Sequence, residues 1–166
     1  MTQSLAPLRA LVADPSSHMA ALVAQMLHSL KIRSVEATVN LERTASELGR
    51  RSYDLILLDE QIAGGPDFDI IRDIRQTADH PNRSTPIIMM AAAPDIRMIA
   101  AARDAGVTEF LRKPFSAEHV RLRIDAIRAA PRPFVEAQSY AGPDRRRKRT
   151  ASGQGRRADD AGSEPA

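Results

Sequence analysis

Four large apolar residues in a row, Leu55-Ile56-Leu57-Leu58, lie between Asp54 and Asp59. The run is too short for a helix and unbroken in hydrophobicity, the signature of a strand covered on both faces of a parallel sheet. Such a strand ends abruptly at the carboxyl edge of its sheet, where ligands and chemistry collect in open α/β folds. The edge residue is Asp59, followed by Glu60, Gln61 and a Gly64-Gly65-Pro66 loop. By position alone Asp59 is open to three roles: nucleophile, metal ligand or helix-capping surface acid.

The segments around this strand repeat one alternation. Leu8–Ala13 is strand-like and closes on Asp14-Pro15, with Asp14 placed to cap a helix that Pro15 begins. Met19, Leu22, Val23, Met26, Leu27 and Leu30 recur at helical spacing. Ile32–Thr38 is β-branched, and Asn40 caps a helix whose inner stripe is Leu41, Ala45 and Leu48. After Asp59, a helix spans Asp67 to about Ala78, Asp79–Thr85 is a polar loop, and Ile87–Met90 is a further buried strand. A helix over Asp95–Ala105 stops at Gly106. Val107–Leu111 is the fifth strand, and Ser116 caps a fifth helix ending at Ala129. Five such units predict a doubly wound α/β domain, (βα)5, with a parallel five-stranded sheet over residues 1–129.

The chemistry expected follows from the strand ends. Asp14 ends strand 1, Asp59 strand 3 and Lys113 strand 5, so the three converge at one edge. Two carboxylates and an ammonium suit Mg²⁺ and a phosphoryl group, since the hard cation takes oxygen ligands and the lysine pairs with phosphate oxygens. A buried ion-pair network is the bland alternative. With no cysteine, thiolate chemistry, disulfides and Cys-based zinc sites are excluded. The four histidines, His18, His28, His80 and His119, have no ligand spacing. No apolar run approaches a membrane span, and Met1–Pro7 lacks the regions of a secretory signal, so a cytoplasmic protein is expected.

The motifs LVADPS around Asp14, LILLDEQ around Asp59 and FLRKPF around Lys113-Pro114 resemble the CheY-like receiver domain of bacterial response regulators. The resemblance implies a flavodoxin-like fold, Asp59 as phosphoacceptor from a histidine kinase, and Lys113 as the residue that stabilises the phosphoryl group. It further implies Mg²⁺ held by Asp14, Asp59 and Gln61, and a cis Lys113-Pro114 bond. The chain does not read as an enzyme beyond autophosphorylation. Three departures stand out. Ala13 replaces a second acid after strand 1, Ala91 replaces the Ser or Thr of strand 4, and Phe110 replaces a switchable Tyr in strand 5. The lost carboxylate weakens Mg²⁺ binding, and the lost hydroxyl disconnects the usual response to phosphorylation.

Charge draws attention to the C-terminus. Residues 1–129 balance 16 basic against 16 acidic side chains, and the net +3 of the chain lies wholly in 130–166. That segment, broken by Pro131, Pro133 and Pro143, is expected to be largely disordered without ligand. A basic run is commonly a solvated or nonspecific polyanion-binding tail. Asp144 beside Arg145 argues otherwise, because it cancels charge that a phosphate-only binder would keep. An aspartate reads the N1 and N2 donors of guanine while an arginine fork takes O6 and N7. Tyr140 offers a stacking platform, and Arg146, Arg147, Arg149, Arg156 and Arg157 offer phosphate contacts. The expected ligand is cyclic di-GMP.

Arg145-x-x-x-Arg149 resembles the arginine pair of PilZ domains without its partner motif, and Arg156-x-x-Asp159 resembles the inhibitory RxxD site of diguanylate cyclases. A degenerate receiver with a GPDRRR extension resembles the Cle group of CheY-like cyclic di-GMP effectors. That resemblance implies docking on the flagellar motor switch through helix 4, strand 5 and helix 5, with recruitment to the flagellar pole. Arg97, Arg103, Arg112 and Arg121 are the exposed candidates on that face. The rival expectation is a kinase-driven regulator with a passive basic tail. Nucleic-acid binding is disfavoured, because Tyr140 is a lone aromatic beside the basic run.

Overall fold

The computed structural model describes residues 8–146, the side chain of Pro66 aside. Its central sheet is parallel and ordered β2-β1-β3-β4-β5, made of β1 (Arg9–Ala13), β2 (Ser34–Thr38), β3 (Leu55–Asp59), β4 (Ile87–Ala91) and β5 (Glu109–Arg112). Helices α1 (Ser17–Ser29), α2 (Leu41–Arg50), α3 (Asp69–Gln76), α4 (Ile96–Ala105) and α5 (Ala117–Ala129) cover both faces. This is the expected doubly wound receiver fold.

Strand β3 is buried at every position because its side chains alternate between two cores. Ile56 and Leu58 pack with Ile71, Ile74 and Leu48 toward α2–α4. Leu55 and Leu57 pack with Val23, Leu27 and Val120 toward α1 and α5. Each of these large side chains contributes about 1.5–3 kcal/mol by leaving water. A one-residue slip would exchange the two cores, so the β1–β3 register that pairs Ala13 with Leu58 is strongly specified.

Several local expectations change. Ser16, not Asp14, caps α1, its hydroxyl accepting from Met19 N at 3.3 Å. Pro15 precedes the helix. Asp14 Oδ1 accepts from Ser16 N at 2.8 Å, so Asp14 steers the turn and leaves Oδ2 for the edge. On α2, Leu41 is 47% exposed and Ala45 is exposed, whereas Thr44 is buried. The Thr44 hydroxyl lies 2.8 Å from that of Thr38 and donates to Asn40 O, satisfying a buried polar group that periodicity would not place there. Helix α3 starts at Asp69, after a 3₁₀ turn over Gly65–Asp67 and a buried Phe68 with φ 51°.

The largest difference lies past Ala130. Residues Phe134–Ala137 (β6) and Tyr140–Pro143 (β7) form an antiparallel hairpin, and β7 packs on α3 and α4. Disorder was expected for these residues, and a hairpin of two four-residue strands is too short to show periodicity. It holds through contacts distant in sequence. Tyr140 is buried and its hydroxyl donates to Pro143 O at 2.6 Å. Arg83 pairs with Glu136 at 3.0 Å and lies 4.9 Å over the Phe134 ring, and Arg132 pairs with Glu109 at 3.4 Å. The hairpin also closes over Arg75, whose buried guanidinium has no carboxylate partner among the described residues and donates to the carbonyls of Gly106 and Arg83. Burial holds the Arg75 pKa down to about 10. No helix among the described residues is long and apolar enough to cross a membrane.

Candidate functional site

The parallel sheet brings the exits of β1, β3 and β5 to one edge, and the three predicted residues meet there. Asp14 and Asp59 are both buried. Lys113 Nζ donates to Asp14 Oδ2 at 2.6 Å and to Asp59 Oδ2 at 2.7 Å. Asp59 Oδ1 accepts from Gln61 N at 2.8 Å, so the loop after β3 wraps back onto the carboxylate. Burial alone would lower the Lys113 pKa, but the hydrogen bonds to Asp14 and Asp59 outweigh it and raise the value above that of an ordinary lysine. The Lys113–Pro114 bond is cis.

Other parts of the edge explain what this cluster lacks. Ala13 is buried at the end of β1, and Ala91, also buried, ends β4. Neither offers a side-chain oxygen. Phe110 is half-buried and packs against the α2–α4 core. The Gln61 side chain is exposed, and only its backbone N–H is turned to Asp59 in a hydrogen bond. Among the described residues no three His, Cys, Asp or Glu side chains are grouped to hold a metal ion. Asp14 and Asp59 bring two carboxylates together, the number by which a largely hydrated Mg²⁺ is usually held, with Lys113 bonded to one oxygen of each.

One contact here was not anticipated from sequence. The Glu60 carboxylate accepts from Ala92 N at 3.1 Å and so ties the exit of β3 to the exit of β4. An open cleft of about 510 Å³ adjoins it, lined by Glu60, Phe68, Asp95, Met98 and Ala101 among others.

The predicted nucleotide-binding residues lie elsewhere, against α4. Tyr140 anchors the hairpin, and the Arg145 guanidinium lies 4.2 Å over its ring and pairs with Asp104. Asp144 Oδ1 accepts from Arg146 N at 2.9 Å, and Arg146 is exposed. Arg147, Arg149, Arg156 and Arg157 lie outside the described residues. On the expected docking face, Arg97, Arg103 and Arg112 are exposed, whereas Arg121 is paired with Glu118 and Asp125. No local pattern could have revealed Asp104, which meets Arg145 across 41 residues of sequence.

The response regulator receiver domain family matches residues 10–125. Among similar proteins, the transcriptional regulatory protein ResD of Bacillus subtilis is 32% identical over 70% of this chain and 46% of its own length. The KDP operon regulatory protein KdpE of Escherichia coli is 33% identical over 58% of this chain and 43% of its own. The chain thus spans less than half the length of these two relatives. Chemotaxis protein CheY-3 of Vibrio cholerae is 25% identical over 72% of this chain and 91% of its own. The solved structure of chemotaxis response regulator CheY4 of Vibrio cholerae superposes with a TM-score of 0.64 at 19% identity, covering 72% of this chain and 98% of that one. With the carboxylate pair and bridging lysine at the sheet edge, these likenesses give the family: the chain belongs to the response regulator receiver domains of two-component signalling.

Proposed function

We propose that this receiver is a cyclic di-GMP effector of the Cle kind, in which residues 1–129 form the receiver and the segment beginning at Arg145 takes the nucleotide. The observation carrying this reading is the exit of the hairpin, where Asp144, Arg145 and the Tyr140 ring stand together. A guanine base replacing the Arg145 guanidinium on Tyr140 would free that arginine for O6 and N7 and place Asp144 near N1 and N2. The arginines that follow supply phosphate contacts. The loaded segment then docks the receiver on its partner, the flagellar motor switch, through the α4–β5–α5 face. Nucleotide binding as the main input agrees with a phosphorylation site that lacks a side-chain oxygen at Ala91 and Ala13.

Calorimetric titration of cyclic di-GMP into the full chain tests this. The control replaces Arg145, Arg146, Arg147 and Arg149 by Ala, since ending the chain at Ala130 would also remove the packed hairpin. Micromolar or tighter binding to the native chain, lost in the variant, is the expected result. No binding to the native chain defeats the proposal.

A second reading is supported by the Asp14–Lys113–Asp59 geometry. Receiver domains commonly use Mg²⁺ for phosphorylation and pair with histidine kinases. In this reading Asp59 accepts the phosphoryl group and Lys113, already within hydrogen-bond reach, pairs with its oxygens. Stable phosphorylation of Asp59 by a kinase, with no nucleotide binding, would favour it over the first.

A further inference from the structure

We propose that Glu60 is an internal anionic clamp that competes with a phosphoryl group on Asp59. The β3–β4 register pairs Asp59 with Met90, and Glu60 N donates to Met90 O at 2.9 Å. Ala92 therefore lies two residues past the partner of Asp59, at the same edge. Its N–H is a donor turned to an anion, and the anion is the half-buried carboxylate of the residue next to Asp59. The bond is charge-assisted and lies at the exposed edge of the sheet, where water reduces its strength.

The consequence follows from which donors remain for new oxygens. A phosphoryl group formed on Asp59 adds three of them beside the exits of β3, β4 and β5. Lys113 Nζ serves that position from β5 and Gln61 N from the loop after β3. From β4, Ala91 has no hydroxyl, which leaves the Ala92 N–H, and Glu60 holds it. A phosphoryl group that reaches for this N–H has to displace Glu60 or sit beside a second negative charge. With Glu60 in place, the exit of β4 is drawn toward β3 without phosphorylation, so adding a phosphoryl group changes that loop little. The clamp predicts a muted phosphorylation response independently of whether a nucleotide binds.

The test compares the full-length protein with Glu60→Ala and Glu60→Gln, using acetyl phosphate in magnesium buffer and intact mass to count phosphoryl groups. Asp59→Asn supplies the background. In the reaction an Asp59 carboxylate oxygen attacks phosphorus, the bond between phosphorus and the acetate oxygen breaks, and acetate leaves. Removing the clamp is expected to raise the initial rate about tenfold, the order expected for loss of one charge-assisted hydrogen bond. Glu60→Gln keeps an acceptor without the charge and should fall between. The second readout is the Ala92 amide proton, which should shift upfield in Glu60→Ala without any phosphodonor. Equal rates in all three proteins, undetectable phosphorylation of Glu60→Ala, or an unmoved Ala92 resonance would each overturn the proposal.

Discussion

Replacing Gly142 by Val should detach the C-terminal hairpin and leave the receiver folded. A Cβ at this position would stand 2.6 Å from the Tyr140 hydroxyl and 3.2 Å from Gly106 Cα, and valine adds two more methyl groups. The ring is held by its bond to Pro143 O and the Gly106 contact is backbone, so neither yields cheaply. What is lost can be listed. Burial of Tyr140 contributes about 1.5–3 kcal/mol, its hydroxyl bond about 1 kcal/mol, and the Arg145 cation–π contact about 0.5–1 kcal/mol. The half-exposed Arg145–Asp104 pair adds about 0–1 kcal/mol. Against a gross gain of roughly 3–6 kcal/mol stands the entropy of ordering the hairpin. Each tenfold of protection from exchange corresponds to about 1.4 kcal/mol of hairpin docking, and at least tenfold protection is expected. Amide hydrogen exchange at Asp144, whose N–H donates to Pro133 O, reports it. That protection should vanish in Gly142→Val while Met89 in β4 stays protected. An unprotected Asp144 amide in the native chain, or equal protection in the variant, refutes the docking argument. The variant should also weaken cyclic di-GMP binding, because Asp144 and Arg145 lose their fixed position.

Lys113→Met should cost about 3–5 kcal/mol at neutral pH, since it leaves two buried carboxylates facing each other without their cation; urea unfolding checks it. Because the folded pKa of Lys113 is raised above its ordinary 10.5, its contribution is complete below that value and is lost as pH rises through the higher folded value. The stability gap between native and variant should therefore stay constant up to mildly alkaline pH and narrow only above about 10.5. Ala13→Asp should raise divalent-cation affinity about tenfold by restoring a second carboxylate beside Asp14. Mn²⁺-induced broadening of amide resonances near Asp59 would measure it, and unchanged broadening would mean that position 13 does not face the ion.

The sheet and its edge were written in the sequence because they depend on local pattern. Buried parallel strands are short apolar runs, and a strand ends where its first charge appears, so Asp14, Asp59 and Lys113 could be placed together before any coordinates. Caps at Asn40 and Ser116 and the helix stop at Gly106 were legible for the same reason: each is settled within four residues of chain. The Asp14 cap was misassigned because Asp14 and Ser16 both suit the position and only the path of the chain selects one.

What tertiary structure alone decided are pairings across large separations. Asn82 accepts from Tyr53 N and donates to Leu48 O and Arg51 O, which turns an apparently polar loop into a buried strut. Glu60 meets Ala92 only because β3 and β4 are neighbours in a set register. Tyr140 looked like a free stacking platform in the sequence, yet folding buries it beside Gly106 and sets Arg145 on its ring. Local sequence fixes the backbone conformation a residue prefers and whether it prefers water. Which side chain fills a given neighbour's hydrogen bond is chosen only after distant segments pack.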